Sequence, residues 1–219
     1  MKVTISAAMT IDGKIATALG DSTISSKEDL KRVHRLRAGS DAVVVGISTV
    51  LADDPQLTVR LARGRNPVRV IVDSKGRIPS DSQLLRTARE VRTLVAASAQ
   101  ASAADIERIR QAGAEVIVAG DKTVDIKTLF SKLEKKMGFK KILVEGGGEL
   151  NWSVLSLGLA DELILTIAPR VAGGRLATTL VEGDGYDAIS QGPKFRLVRM
   201  QKTRVGELVL FFYRAGKNP

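Results

Sequence analysis

Hydrophobic and polar positions change period repeatedly along the chain, and these changes outline its elements. Lys2–Met9 mixes β-branched and small residues and predicts a strand. Ser25-x-x-Glu28 has the capping-box pattern, and the helical periodicity behind it predicts a helix to about Ala38, stopped by Gly39. Ala42–Val45 predicts a short apolar strand, Gly46 a tight turn, and Ile47–Leu51 a short helix broken at Asp53-Asp54-Pro55. Val68–Val72, behind Asn66-Pro67, predicts a buried strand, and Arg92–Ala97 another. A helix over Ala103–Ala112 closes at Gly113, Glu115–Ala119 follows as a strand and Ile126–Lys136 as a helix. Lys141–Glu145 predicts a strand that runs straight into Gly146-Gly147-Gly148, with a helix over Leu150–Leu157 behind it.

The C-terminal part has a different rhythm. Glu162–Ile167, Phe195–Gln201 and Glu207–Arg214 predict strands with no helix between them, and Val205-Gly206 marks a hairpin. The alternation before that point implies an α/β fold. Its central sheet is expected to be mostly parallel, with helices on both faces and a C-terminal antiparallel hairpin. No linker or repeat interrupts the pattern, so residues 1–219 are expected to form a single domain.

Composition narrows the chemistry more than the fold. Apolar residues make up 44% and charged residues 26%, an ordinary globular balance that excludes disorder and low complexity. No apolar run approaches the ~18 residues of a membrane span. The N-terminal MKVTISAAMTIDGK reads as a strand rather than a signal peptide, and a cytoplasmic protein without membrane partners is expected. Cysteine is absent and His34 is the single histidine. Disulfides, thiol catalysis and cysteine–histidine metal sites are thereby removed, and no metal is expected. The net charge of +10 fits either nucleic-acid binding or an enzyme for phosphorylated ligands. The basic residues are scattered and aromatics are only 4%, which disfavours a base-stacking surface and nucleic acid as a partner.

Several stretches carry candidate chemistry. In Glu145-Gly-Gly-Gly-Glu-Leu-Asn151 a glycine turn joins a buried strand to a helix, so backbone N–H groups could approach a phosphate; a plain tight turn is the alternative. Asn151 stands at the third glycine position of the dinucleotide fingerprint, which disfavours a standard Rossmann site. Glu145 lies where open α/β sheets place ligands and could act as a general acid or a substrate anchor. Arg37 falls between Leu30 and Val33 on the helical wheel, so its guanidinium requires an anionic partner (Asp41, Asp53 or a phosphate) or reaches solvent. His34, on the same side, reads as structural rather than catalytic. The stretch Asp53 to Arg60 reads as a turn holding a substrate loop. Ser74-Lys75-Gly76-Arg77 could hold an adenosine 2′-phosphate or be an exposed basic turn. Met9–Ala16 leaves the first strand through Asp12-Gly13, and Lys14 is left without an assigned role.

Taken together these stretches resemble the riboflavin-pathway reductase family, whose fold is that of dihydrofolate reductase. The matching pieces, in the family's order, are MTIDGKIA (Met9–Ala16), STISSKEDLKRVHRLRA (Ser22–Ala38), VGISTVLADDPQLTVR (Val45–Arg60), NPVRVIVDS (Asn66–Ser74) and EGGGELNW (Glu145–Trp152). The likeness extends more loosely to Ile167–Gly174. The resemblance implies a homodimeric NADPH-dependent oxidoreductase that reduces a ribosylaminopyrimidine 5′-phosphate to the ribitylamino compound in riboflavin biosynthesis, with NADH left open. In bacteria this domain usually follows a zinc deaminase, whose residue types are absent here. The chain therefore resembles the free-standing archaeal and fungal type, which acts on 2,5-diamino-6-ribosylamino-4(3H)-pyrimidinone 5′-phosphate.

Position by position, the resemblance implies cofactor contacts at Thr49, Asp53, Ser74, Lys75, Gly76, Arg77, Val124, Gly146, Gly147, Gly148 and Glu149. It implies substrate contacts at Ser22, Arg37, Leu57, Arg60 and Glu145, with Glu145 orienting the substrate or assisting proton transfer. Glu149 departs from the small residue frequent in relatives, which implies a backbone contact there; Ser6 stands where some relatives have asparagine. A pterin or dihydrofolate reductase of the same fold and a basic nucleic-acid-binding module are the alternatives.

Overall fold

A computed structural model describes residues 1–216. Its residues fall into two compact units. The first comprises Met1 and His34–Leu143, and the second Lys2–Val33 together with the chain from Val144 onward.

The first unit is built from β2 (Ala42–Gly46), β3 (Val68–Val72), β4 (Thr93–Ala97) and β5 (Glu115–Val118), with β6 (Lys141–Val144) beside β2. β2, β3, β4 and β5 run parallel in that order, in registers such as Val44↔Val70, Ile71↔Val95 and Val95↔Val116. The near-continuous apolar sequences of β2, β3 and β4 suit strands covered on both faces, whereas the edge strand β5 is only partly buried. The crossovers carry α2 (Ile47–Asp53), α3 (Gln83–Arg86), α4 (Ala103–Gln111) and α5 (Ile126–Met137). Val43, Val45, Ile71, Leu84, Val95 and Ile109 are among the core residues with essentially no exposure. Ser102 and Asp125 cap α4 and α5 by accepting the N–H groups of Asp105 and Thr128, and Gly138 ends α5 in the left-handed conformation.

The second unit orders β1 (Lys2–Thr10), β7 (Glu162–Ala168), β9 (Leu208–Arg214) and β8 (Phe195–Lys202). β1 and β7 are parallel, whereas β7–β9 and β8–β9 are antiparallel. The expected hairpin is present: Thr203 and Glu207 close it, and Gly206 has φ +91°. α6 (Gly148–Ser156) belongs to this unit, and α1 (Lys27–Ala38) begins in it. No helix among the described residues is long and apolar enough to cross a membrane.

Two local expectations are corrected. α1 starts one residue later than the capping box required. Ser26, not Ser25, accepts the Asp29 N–H at 3.2 Å, and Glu207 of the hairpin accepts both the Ser26 N–H and its hydroxyl at 2.7 and 2.6 Å. Glu28 instead accepts the Arg204 N–H. The apolar stripe expected at Leu30 and Val33 is also absent, since Leu30 is 41% exposed and the buried positions are Asp29 and His34. The inner side of the helix is polar because Asp29 accepts from Ser25 Oγ, Arg32 Nε and Thr166 Oγ1 at 2.7, 2.9 and 2.7 Å. A buried carboxylate is tolerated when its lone pairs are filled in this way.

Candidate active site

In the first unit the parallel strands bring several candidate residues to their carboxyl ends, the side on which open α/β sheets bind ligands. β3 passes into Asp73, which is fully buried. Its Oδ2 accepts the Ile78 N–H at 2.8 Å and its carbonyl accepts the Gly76 N–H at 3.2 Å, which folds Ser74–Arg77 into a tight turn. Gly76 has φ +70°, and a Cβ there would stand 3.0 Å from the Asp105 Cβ. Arg108 supports the turn from α4 through the carbonyls of Gly76 and Ile78. Burial raises the Asp73 pKa, opposed by the Ile78 N–H and the Arg77 charge. Lys75 and Arg77 are left on the exposed rim of the turn.

Ser74 ties that rim to its neighbours. Its Oγ accepts the Val124 N–H at 3.0 Å. Ser98, at the end of β4, donates its hydroxyl to the carbonyls of Ser74 and Lys122 at 2.8 and 3.2 Å. Two predicted cofactor positions, Ser74 and Val124, are thus joined directly, with Ser98 as an unpredicted brace. Thr49, half-buried, and Asp53, exposed, lie in the first and last turns of α2 behind β2.

The segment after α2 forms a second group. Asp54 closes α2 at φ +39° and is held by Gln83, whose N–H reaches Asp54 Oδ1 at 2.8 Å. Leu57 also lies in the left-handed region, at φ +53°. Such a backbone is costly for leucine and persists only where the surroundings enforce it. Here the side chain is 2% exposed in a core with Ile71, Ile78 and Leu84. The Leu57 side chain is therefore committed to that core. Arg60 lies at the far end of this loop, with its guanidinium bonded to Gln56 Oε1 and Thr58 Oγ1, each at 2.7 Å.

Arg37 meets the same loop, donating to the Thr58 carbonyl at 3.1 Å. Its sequence-based setting between Leu30 and Val33 is replaced by this polar one. Asp41, considered as its partner, accepts the backbone N–H groups of Lys140 and Lys141. Arg60 titrates below the ordinary arginine value, first because of partial burial and then because of the positive charge of Arg37. The positive charge of Arg37 is thus felt at the Arg60 guanidinium.

The second unit contributes the glycine turn. Glu145 follows β6 and is half-buried. Gly146 has φ +86°, the Gly146–Gly147 peptide is cis, and Gly147 is the N-cap of α6 without a side-chain hydrogen bond. An N-terminus capped by glycine keeps its first N–H groups available to an anion. A Cβ on Gly148 would meet Glu182 Cγ at 2.5 Å and the Thr179 carbonyl at 2.8 Å, so only glycine fits there. Asn151 donates to the Leu180 carbonyl at 2.8 Å, while its buried Oδ1 lacks a hydrogen-bond partner. Glu149 is exposed in the first turn of α6.

The segment around Thr179 also receives the turn after β1. Lys14 bridges to Thr179, and its Nζ donates to the Ala177 carbonyl at 3.1 Å. Asp12 accepts the N–H groups of Ala172 and Gly173 at 3.1 and 2.7 Å. Ser22 lies on the exposed stretch leading to α1.

The comparisons with known proteins bear on the family and the fold of the chain. The family model for the RibD C-terminal domain matches residues 1–209. The 2,5-diamino-6-ribosylamino-4(3H)-pyrimidinone 5′-phosphate reductase of Methanothermobacter thermautotrophicus is 48% identical over 200 residues, covering 90% of this chain and 91% of the relative. Riboflavin biosynthesis protein RibD of Actinobacillus pleuropneumoniae is 39% identical over 209 residues, which span 94% of this chain and 54% of that protein. Among solved structures, RibD of Acinetobacter baumannii aligns with a TM-score of 0.83 at 27% identity, over 98% of this chain and 58% of that one. Dihydrofolate reductase of Enterococcus faecalis, at 12% identity, aligns over 98% of this chain and 96% of its own with a TM-score of 0.61 and shares the fold.

Proposed function

The chain belongs to the RibD C-terminal domain family and is a reductase of riboflavin biosynthesis, and from that premise we propose its substrate, cofactor and site. The substrate is 2,5-diamino-6-ribosylamino-4(3H)-pyrimidinone 5′-phosphate, the compound named for the Methanothermobacter relative. The observation that carries this reading is the pair Arg37 and Arg60, whose mutual repulsion a dianionic phosphate would relieve. Leu57 holds the loop between them in the core and offers backbone groups to the pyrimidine. Ser22 and Glu145 complete the substrate contacts.

A nicotinamide cofactor fits the residues present. The N-terminus of α6 carries no side-chain cap, which suits a pyrophosphate against the backbone of Gly146, Gly147 and Gly148. Glu149 serves there through its backbone. Ser74, Lys75, Gly76 and Arg77 offer a hydroxyl, two exposed cations and a tight turn to a 2′-phosphate, which favours NADPH over NADH. Val124 flanks the same turn through its bond to Ser74; Thr49 and Asp53 supply the contacts of α2.

The bound cofactor supplies the hydride that reduces C1′ of the ribose. The N-glycoside of an amine opens to an imine at that carbon, with the ring oxygen taking up the proton given up by nitrogen. Protonation of the imine nitrogen makes C1′ the better acceptor, and Glu145 is assigned to orient the substrate and assist that proton transfer. Hydride at C1′ and a proton at nitrogen yield the ribitylamino product. Residues 1–219 act in this reading as one reductase domain, since the family match runs through both units. A homodimer belongs to the same reading. β8 lies at the edge of its sheet and exposes Leu197 and Met200, at 49% and 62%.

Consumption of reduced nicotinamide tests the assignment. It should occur with the diamino ribosylamino phosphate and be much slower with the dephosphorylated compound. Turnover of dihydrofolate instead would overturn it.

A further inference from the structure

We propose that His34 is a positioning residue, which fixes the phosphate-binding loop by accepting the backbone N–H groups of Arg60 and Leu61 on a neutral Nδ1. The proposal rests on the reading of Arg60 as a phosphate ligand.

His34 is 3% exposed in α1. Its Nδ1 lies 2.8 Å from the Arg60 nitrogen and 3.2 Å from that of Leu61. Both facing groups are amide N–H donors, so Nδ1 can only accept. The ring is therefore neutral, with its proton on Nε2. One acceptor shared by two consecutive amides pins the backbone of Arg60 in position and direction, whereas the guanidinium contacts to Gln56 and Thr58 lie within the loop itself.

Val59 N–H reaches Asn66 Oδ1 at 2.7 Å, and Arg37 holds the Thr58 carbonyl. Arg37 lies one helical turn beyond His34, so one segment of α1 both supplies the first guanidinium and holds the backbone of the second. The spacing of two repelling cations is thereby set by a single helix, as a preformed anion site requires.

The two substitutions that separate positioning from packing are His34→Asn and His34→Leu. The Asn Oδ1 stands where Nδ1 does and keeps the acceptor; Leu fills the space without one. In the full-length protein, amide hydrogen exchange at Arg60 and Leu61 should accelerate by about tenfold in His34→Leu, as expected when a buried hydrogen bond is lost. Exchange should remain near the parent rate in His34→Asn. KM for the phosphorylated substrate should rise by about tenfold in His34→Leu with kcat within about twofold, and His34→Asn should restore it.

Unchanged exchange at both amides in His34→Leu would overturn the proposal. So would equal impairment by the two substitutions, since that marks a packing role. An Arg60→Ala variant with unchanged KM would instead overturn the phosphate reading, while the exchange result would still report on the anchoring by His34.

Discussion

Arg69 is the substitution whose consequence the structure determines most sharply. It is the second residue of β3, opposite Thr93 in β4, with no exposure at all. Its guanidinium donates to Thr93 Oγ1, Thr87 Oγ1 and the carbonyls of Gln56, Leu84, Thr87 and Val91. All of these acceptors are neutral. Burial accordingly lowers its pKa from the ordinary arginine value to about 10, a penalty on the charged form of about 3 kcal/mol. Arg69→Met removes that penalty together with the bonds. The Thr87 carbonyl keeps the N–H groups of Glu90 and Val91, and the Val91 carbonyl keeps the Thr93 hydroxyl. The Leu84 carbonyl, on a fully buried residue, loses the guanidinium, at a cost of ~1–3 kcal/mol, and the shorter side chain leaves a void. The expected loss is about 2–3 kcal/mol, well short of a sum over all the bonds. In thermal unfolding this corresponds to a Tm lower by about 4–12 °C for a chain of this size. Arg69→Lys should not restore stability, because a point charge cannot satisfy acceptors arranged around a planar fork. A change below ~0.5 kcal/mol, the range of ordinary surface substitutions, would refute this account of Arg69.

Other outcomes follow from the same geometry. Gly148→Ala should weaken cofactor binding and cost about 1–3 kcal/mol of stability through its contact with the Thr179 carbonyl, as read by cofactor titration and urea unfolding; unaltered values for both would contradict the close packing of the turn. Lys75→Ala with Arg77→Ala should weaken NADPH more than NADH, and equal losses would place the two cations elsewhere. Glu145→Gln should keep cofactor affinity and lower kcat by ~10²–10⁴, whereas full turnover would leave Glu145 a structural role. Asp12 has its pKa lowered from 3.8 to about 2 by the Thr10 hydroxyl and then the N–H groups of Gly173 and Ala172. A carboxylate depressed in the folded state stabilises above its unfolded value and loses that contribution as pH falls through the folded one. Protection of the Ala172 and Gly173 amides should therefore decline between pH 3.8 and 2, and Asp12→Asn should remove that pH dependence.

The strands and the longer helices were legible because each is punctuated locally. Gly39, Gly113 and Gly158 follow helices, and β2, β3 and β4 are nearly unbroken apolar runs. α3 escaped notice because Gln83–Arg86 is too short to show a period, and its cap Ser82 lies in a polar stretch. The start of α1 was displaced because its cap is completed by Glu207, far along the chain. The glycine turn and the basic turn after β3 could be read from residue type and spacing. His34, Asp73 and Ser98 could not, since each acts through backbone atoms that only the fold brings near. Arg69 did leave a signal, a cation inside an apolar strand, although not the identity of its partners. The polar inner side of α1 defeated the helical wheel, because Asp29 is buried only by virtue of Arg32 and Thr166.

The central claim is hydride delivery to C1′ of a phosphorylated ribosylamine. It is tested most directly with NADPH carrying deuterium on its transferable position and mass analysis of the product. The account predicts a ribitylamino phosphate with one deuterium, located at C1′. Deuterium on the pyrimidine ring, or a ribosylamino compound recovered unreduced, would contradict it.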